Sequence, residues 1–117
     1  MQHRDIIVIR KVISEIDIGT AMLQDISVEQ FLADEKLKRA VAMTVINIGE
    51  LIKNVTDETR SVNPQIQWKA AAGMRDVAAH KYQTLRMEDV YNTAKADFPI
   101  LKQQLSDVLE SEDPTTA

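Results

Sequence analysis

Near the start of the chain, Ile6, Ile9, Val12, Ile13 and Ile16 recur among Arg, Lys, Glu and Asp at helical spacing. An α-helix turns once every 3.6 residues, so this spacing draws one apolar stripe and predicts a helix from near His3 to about Leu23. The segment "SVEQ" opens a short second helix: Ser27 can cap the first turn and Gln30 can answer it in a capping box. Leu37, Val41, Thr44, Ile48, Leu51 and Val55 then repeat in steps of four and three, predicting the longest helix. Val45 and Ile52 widen its stripe, as bundle packing requires. Gly49 lies inside that stripe. A mid-helix glycine costs about 1 kcal/mol relative to alanine, so close approach of a neighbouring helix is the expected compensation.

Asn63-Pro64 reads as a stop and restart, with Asn as cap and Pro at the first helical position. The restarted helix is expected to end near Tyr82. A final helix follows from about Met87, with Val90, Ala94, Phe98, Leu101, Leu105 and Val108 facing inward. Pro99 is expected to bend or break it around residues 96–98, because proline supplies no N–H and clashes with the preceding turn. The polar tail "ESEDPTTA" is expected to fray. No repeat, linker or second domain is visible. The prediction is an all-α antiparallel helical bundle, one domain over residues 1–110 with a polar tail at 111–117.

Composition agrees with that pattern and narrows the chemistry. The chain has 117 residues, 44% hydrophobic and 27% charged, with three Gly, three Pro and 4% aromatics. Its core must therefore be aliphatic, with Trp68 as an anchor and the five methionines as filler. The absence of cysteine excludes disulfides, thiolate metal sites and a cysteine nucleophile. No apolar run approaches the roughly 18 residues of a membrane span, and the N-terminus lacks a signal-peptide layout. The expectation is a soluble cytoplasmic protein that does not engage a membrane.

The net charge of −4 argues against a general nucleic-acid coat. Between Trp68 and Arg86, however, Lys69, Arg75, Lys81 and Arg86 face only one acid, Asp76. One basic patch on an acidic body fits a local phosphate site, with Lys69, Lys81 and Arg86 as candidate RNA contacts. An ordinary solvated surface produces the same charge pattern more often.

That patch contains "RDVAAHKY", which holds one of two histidines and one of two tyrosines. On a helix Asp76 lies one turn before His80, where its carboxylate can orient the imidazole and favour the protonated form. A histidine can take or give a proton, and an arginine can hold anionic phosphate oxygens. Together they suit RNA cleavage in which the ribose 2′-OH attacks the adjacent phosphate and no metal is required. Complete acid–base chemistry needs two proton-handling groups, and His3 lies near a terminus; a twofold dimer would bring two copies of His80 together. The small residues from Ala70 to Ala79 would allow close helix contact there. Other readings stay open on the residues alone. An Arg and a His five apart are a weak pattern, and Asp76 with His80 offers only two metal ligands, with no third nearby. Glu50 in "INIGE" reads as a solvated helix charge rather than a catalytic acid.

With these residues in view, the chain resembles the HEPN superfamily, and within it the HepT-like toxins paired with minimal nucleotidyltransferases. The signature is an Arg, a polar residue and a His four to six positions after the Arg, here Arg75, Asp76 and His80, extended by Tyr82. "INIGELIKNV", "WKAAAGMRD" and "DFPILKQQL" resemble the same branch in the same order, so the likeness spans about residues 3–109. It implies a dimeric helical bundle and a metal-independent endoribonuclease without a cofactor, its paired motifs meeting in a cleft between protomers. It also implies a nucleotidyltransferase antitoxin that uses ATP as AMP donor and modifies Tyr82. Asp76 stands where that pattern often has Asn, placing a negative charge beside the path of an RNA phosphate.

Two other classes fit parts of the pattern. A catalytically silent nucleotide- or protein-binding bundle would keep the fold and lack RNA cleavage. A histidine phosphotransfer module would usually carry a glycine shortly after its histidine, which "HKYQTL" lacks. A DNA-binding regulator is disfavoured by the net charge and the lack of a basic recognition helix.

Overall fold

Helix α1 (His3–Met22) buries Ile9, Val12 and Ile16 along the stripe read from its spacing. The computed structural model describes residues 1–80 and 83–112, and of residues 77–80 it describes the backbone alone. Helix α2 (Val28–Leu32) begins with the expected capping box: Ser27 Oγ accepts from Gln30 N, and Gln30 Oε1 accepts from Ser27 N. Helix α3 (Glu35–Lys53) is capped by Asp34, whose carboxylate accepts from Leu37 N, and buries Val41, Thr44, Val45, Ile48 and Ile52.

A short helix that the apolar pattern did not reveal follows, α4 (Asp57–Val62), with Thr56 as its cap. The expected role of Asn63 is corrected accordingly. It ends α4 instead of starting the next helix, and its carbonyl accepts from Ile66 N and from the Trp68 indole Nε1. Those bonds hold residues 64–67 in a turn, so α5 (Trp68–His80) begins four residues later than Pro64 suggested. Trp68 is buried, as expected of a core anchor.

Helix α6 (Met87–Asn92) continues through a π-helical turn (Thr93–Asp97) into α7 (Phe98–Glu112). The bend expected from Pro99 therefore takes the form of a widened turn. A π-turn absorbs the missing proline N–H and the clash with the carbonyl four residues back without ending the helix. Val90, Ala94, Phe98, Leu105 and Val108 stay buried across it, and Leu101 is partly buried. A fully buried side chain the size of Phe98 contributes about 1.5–3 kcal/mol. Glu110–Glu112, expected to fray, continue α7, and Glu112 pairs with the Met1 amino group. The rest of the tail lies outside the described residues.

Contacts fix the helix directions. Asn47 Nδ2 donates to Glu15 at 2.6 Å and Arg4 to the Asn54 carbonyl at 3.2 Å, so α1 runs antiparallel to α3. Lys102 pairs with Asp17 at 2.7 Å and Lys95 donates to the Leu23 carbonyl at 2.8 Å, so α1 also runs antiparallel to α7. The result is the all-α antiparallel bundle read from the sequence, and no strand occurs among the described residues. No helix among the described residues is long and apolar enough to cross a membrane.

Candidate functional site

Helix α5 meets α3 at Gly49, and this contact places the arginine of the motif. A Cβ at Gly49 would lie 2.6 Å from Arg75 Cβ, 2.7 Å from Arg75 N and 3.1 Å from the Ala72 carbonyl. Only hydrogen fits there, which is the close approach expected of this glycine. Ala71 and Ala72 are buried beside it, so part of the small-residue face of α5 packs within the protomer. Gly73 on the same helix points elsewhere: a Cβ there would meet nothing within 4 Å. Ala70, Gly73 and Met74 line an open groove with Asp89 and Thr93 of the following helical segment.

Close contact of the backbones brings four charged side chains together. Arg75 Nε lies 2.9 Å from Glu50 Oε2 on α3, and its Nη1 donates to Asp76 Oδ1 at 3.2 Å. The same Asp76 oxygen accepts from Lys53 Nζ at 3.0 Å. The Arg75 side chain is 32% exposed, whereas Glu50 and Asp76 are more than half exposed. Hydrogen bonds from Lys53 and then Arg75 hold the Asp76 carboxyl below the usual aspartate value, outweighing the opposing push of partial desolvation. Glu50, read from the sequence as a solvated charge, is paired with Arg75. It also lines an open groove of about 410 Å³ between α1 and α3, with Lys11, Ser14, Glu15, Asn47 and Leu51.

Of the sequence-predicted site residues, the structure joins Arg75 and Asp76 directly. His80 is the last residue of α5, five positions after Arg75, and its side chain is outside the description, as is its expected contact with Asp76. Lys81 and Tyr82 lie outside the described residues altogether. Lys69 is exposed in the first turn of α5, and Arg86 is exposed at the start of α6, 3.5 Å from Glu88. Sequence reasoning missed Lys53 entirely. Its only local signal is its place three residues after Glu50 on α3, which brings both to one edge of the helix.

Among the described residues, no group of three or more His, Asp or Glu side chains could hold a metal ion. The site is an arginine on a short helix, flanked by carboxylates and an exposed lysine, with a histidine one to two turns further along. Arg75 and Lys53 give that cluster cations of the kind that bind an anionic oxygen.

An all-helical bundle built around such an Arg–Asp–His helix defines a class, and comparison with known proteins gives its family. Residues 9–108 match the family described as ribonuclease HepT-like, a span from within α1 to within α7. The chain belongs to the HepT-like ribonuclease family. It is 31% identical over 101 residues to a Caldanaerobacter subterraneus subsp. tengcongensis protein named as a candidate RNase, covering 86% of this chain and 90% of that one. It is also 31% identical over 100 residues to a Thermococcus cleftensis protein named as a candidate ribonuclease HepT, covering 86% and 89%. A Methanocaldococcus jannaschii protein named as a candidate RNase is 32% identical over 82 residues, covering 70% and 68%. No solved structure gives a significant match.

Proposed function

We propose that this chain is the ribonuclease toxin of a toxin–antitoxin pair and cleaves RNA without a metal. The observation that carries this reading is the placement of Arg75. The guanidinium is half-buried where α5 meets α3, between Glu50 and Asp76, on the helix that ends in His80. In the proposed reaction the ribose 2′-OH attacks the adjacent phosphorus and loses its proton to one histidine. The 5′-oxygen leaves, taking a proton from the His80 of a second copy. Arg75 stabilises the negative charge that grows on the phosphate oxygens, and Asp76 orients His80. A homodimer is part of this reading, because one chain supplies one such histidine. The open face around Gly73 supports it by leaving room for a second backbone. Lys69, Lys81 and Arg86 would hold flanking phosphates.

Control by AMP transfer belongs to the same proposal. The Tyr82 phenol attacks the α-phosphorus of ATP on a cognate nucleotidyltransferase and pyrophosphate leaves. The product carries a phosphodiester charge that competes with RNA for the cations of the basic patch. The other tyrosine supports this choice by its engagement elsewhere: Tyr91 donates its hydroxyl to the Ile26 carbonyl at 2.6 Å and packs its ring at a tilt against Phe31.

Purified protein should cleave RNA in EDTA and leave 2′,3′-cyclic phosphate ends, and His80→Ala should lose about 10²–10⁴ in rate while keeping its helical circular dichroism. Activity that survives in His80→Ala, or that requires an added divalent ion, would overturn the mechanism. RNA binding without cleavage would favour a silent binding bundle. After incubation with the nucleotidyltransferase and ATP, peptide mass spectrometry should locate AMP on Tyr82. Label on Tyr91 would refute the proposed switch.

A further inference from the structure

We infer that Glu50 and Lys53 form an ion-pair clamp on α3 that positions Arg75 and offsets the charge of Asp76 during catalysis. This rests on the ribonuclease reading above and assigns roles to two residues outside the Arg–Asp–His motif. A free arginine side chain samples many rotamers, and ordering one costs conformational entropy. Here two carboxylates from different helices flank one guanidinium, Asp76 through a hydrogen bond from Nη1 and Glu50 as an ion pair beside Nε. Glu50 Oε2 sits 2.9 Å from Nε, and Asp76 Oδ1 sits 3.2 Å from Nη1. Gly49, one residue before Glu50, sets the distance between the helices, because its missing side chain is what lets Arg75 approach. Clamp and helix contact are thus neighbouring residues of one turn.

Lys53 answers a separate problem. Asp76 puts a negative charge next to the arginine that must meet a phosphate. Lys53 Nζ, 3.0 Å from Asp76 Oδ1, balances that charge without displacing Arg75 from the same oxygen. The cluster of Glu50, Lys53, Arg75 and Asp76 is then formally neutral, with the Arg75 cation oriented in place. Both α3 residues are positioning residues, since they act through Arg75 and Asp76.

Steady-state cleavage of one short RNA by purified variants tests the clamp. Glu50→Gln keeps the shape and removes a negative charge. Positioning predicts that kcat falls by about tenfold to a hundredfold, while KM stays level or drops. Glu50→Asp keeps the charge but withdraws it by one methylene, and kcat should fall there as well. If Glu50 were only a surface charge repelling RNA, Glu50→Gln would lower KM at unchanged kcat and Glu50→Asp would behave as wild type; either result overturns the inference. Lys53→Met should raise KM, Lys53→Arg should restore it, and the Lys53→Met effect should vanish in an Asp76→Asn background. A Lys53→Met defect that persists there overturns the charge-offset role. Arg75→Ala in the same assay separates the two levels. Wild-type cleavage by Arg75→Ala would sink the site reading, whereas loss there with wild-type Glu50 variants would sink the clamp alone.

Discussion

Two aspartates in this bundle hold their protons less tightly than a free aspartate, in opposite surroundings and for different reasons. Asp5 is fully buried near the start of α1, and its donors are uncharged: it accepts from Thr56 N, Thr56 Oγ1 and Thr59 Oγ1. Burial pushes its carboxyl up, and the hydrogen bonds from Thr56 and Thr59 outweigh that push. Asp76 is more than half exposed, and its donors are the cations Lys53 and Arg75. The first arrangement ties α1 to the start of α4 and holds the fold. The second ties α3 to α5 through charges that water still reaches, where an exposed pair adds little stability and can still fix an orientation. Titration shifts in the same direction therefore mark one residue of the scaffold and one of the candidate site.

The largest expected effect is on the exposed side of this comparison. Arg75→Ala should lower cleavage by about 10²–10³ through lost charge stabilisation, with its urea unfolding curve close to wild type. A large loss of stability in that variant would show that the Arg75 cluster belongs to the scaffold. Asp5→Ala should do the reverse. It removes the acceptor of the buried Thr59 hydroxyl and of the partly buried Thr56 N–H, which costs about 1–3 kcal/mol for such a group, while activity per folded molecule is kept. A loss within experimental scatter of a surface substitution would contradict the assignment.

The pH dependence of Asp5 follows from the direction of its shift. Its folded value lies below the unfolded one, so near those values the unfolded chain binds more protons and stability rises with pH. The contribution is present above the ordinary aspartate value of about 3.9 and is lost as pH falls through the lower folded value. The stability gap between wild type and Asp5→Asn, measured by denaturant unfolding from pH 6 downward, should be widest at the top of that range and close in acid. A gap that widens in acid would reverse the sign and refute the account.

The two glycines sharpen the same contrast at smaller magnitude. Gly49→Ala forces α3 and α5 apart, because the new methyl group meets the Arg75 backbone and Cβ. It should cost about 1–3 kcal/mol and also lower kcat by shifting Arg75 away from Glu50. Gly73→Ala has open space in the protomer and should gain up to about 1 kcal/mol from helix propensity. If a second copy packs on that face, Gly73→Ala should weaken self-association by light scattering while raising the monomer's unfolding midpoint. The smallest stability effect belongs to Asp76→Asn, which should leave the unfolding midpoint close to unchanged because Lys53 is exposed and Arg75 keeps its pairing with Glu50.

Most of the helical framework was legible because its causes are local. Stripes such as Ile9–Val12–Ile16 and Val41–Thr44–Ile48 follow from backbone periodicity, and the Ser27–Gln30 capping box is complete within four residues. Helix α4 escaped notice because six residues cannot show a period, although "TDET" carries a threonine cap and acids in the first turn. Asn63 was misplaced for a different reason. As a cap it could serve either neighbour, and the bond from the Trp68 indole to its carbonyl is a contact that residue preferences do not encode. Pro99 announced a disturbance in the last helix, yet only the packed chain chose a π-turn over a break, since Ala94 and Phe98 both stay in the core.

By itself, then, the sequence determined the longer helices, their inward-facing residues, the need for closeness at Gly49 and the Arg75–Asp76–His80 helix. Each depends on residues within a turn or two of one another. Tertiary structure decided which helix came close at Gly49, and with it that Glu50 and Lys53 stand against Arg75 and Asp76 across gaps of 25 and 23 residues in the chain. It also decided that Asp5 would close on Thr56 and Thr59, more than 50 residues away. Such pairings depend on how whole apolar faces stack, and no short-range pattern carries that information.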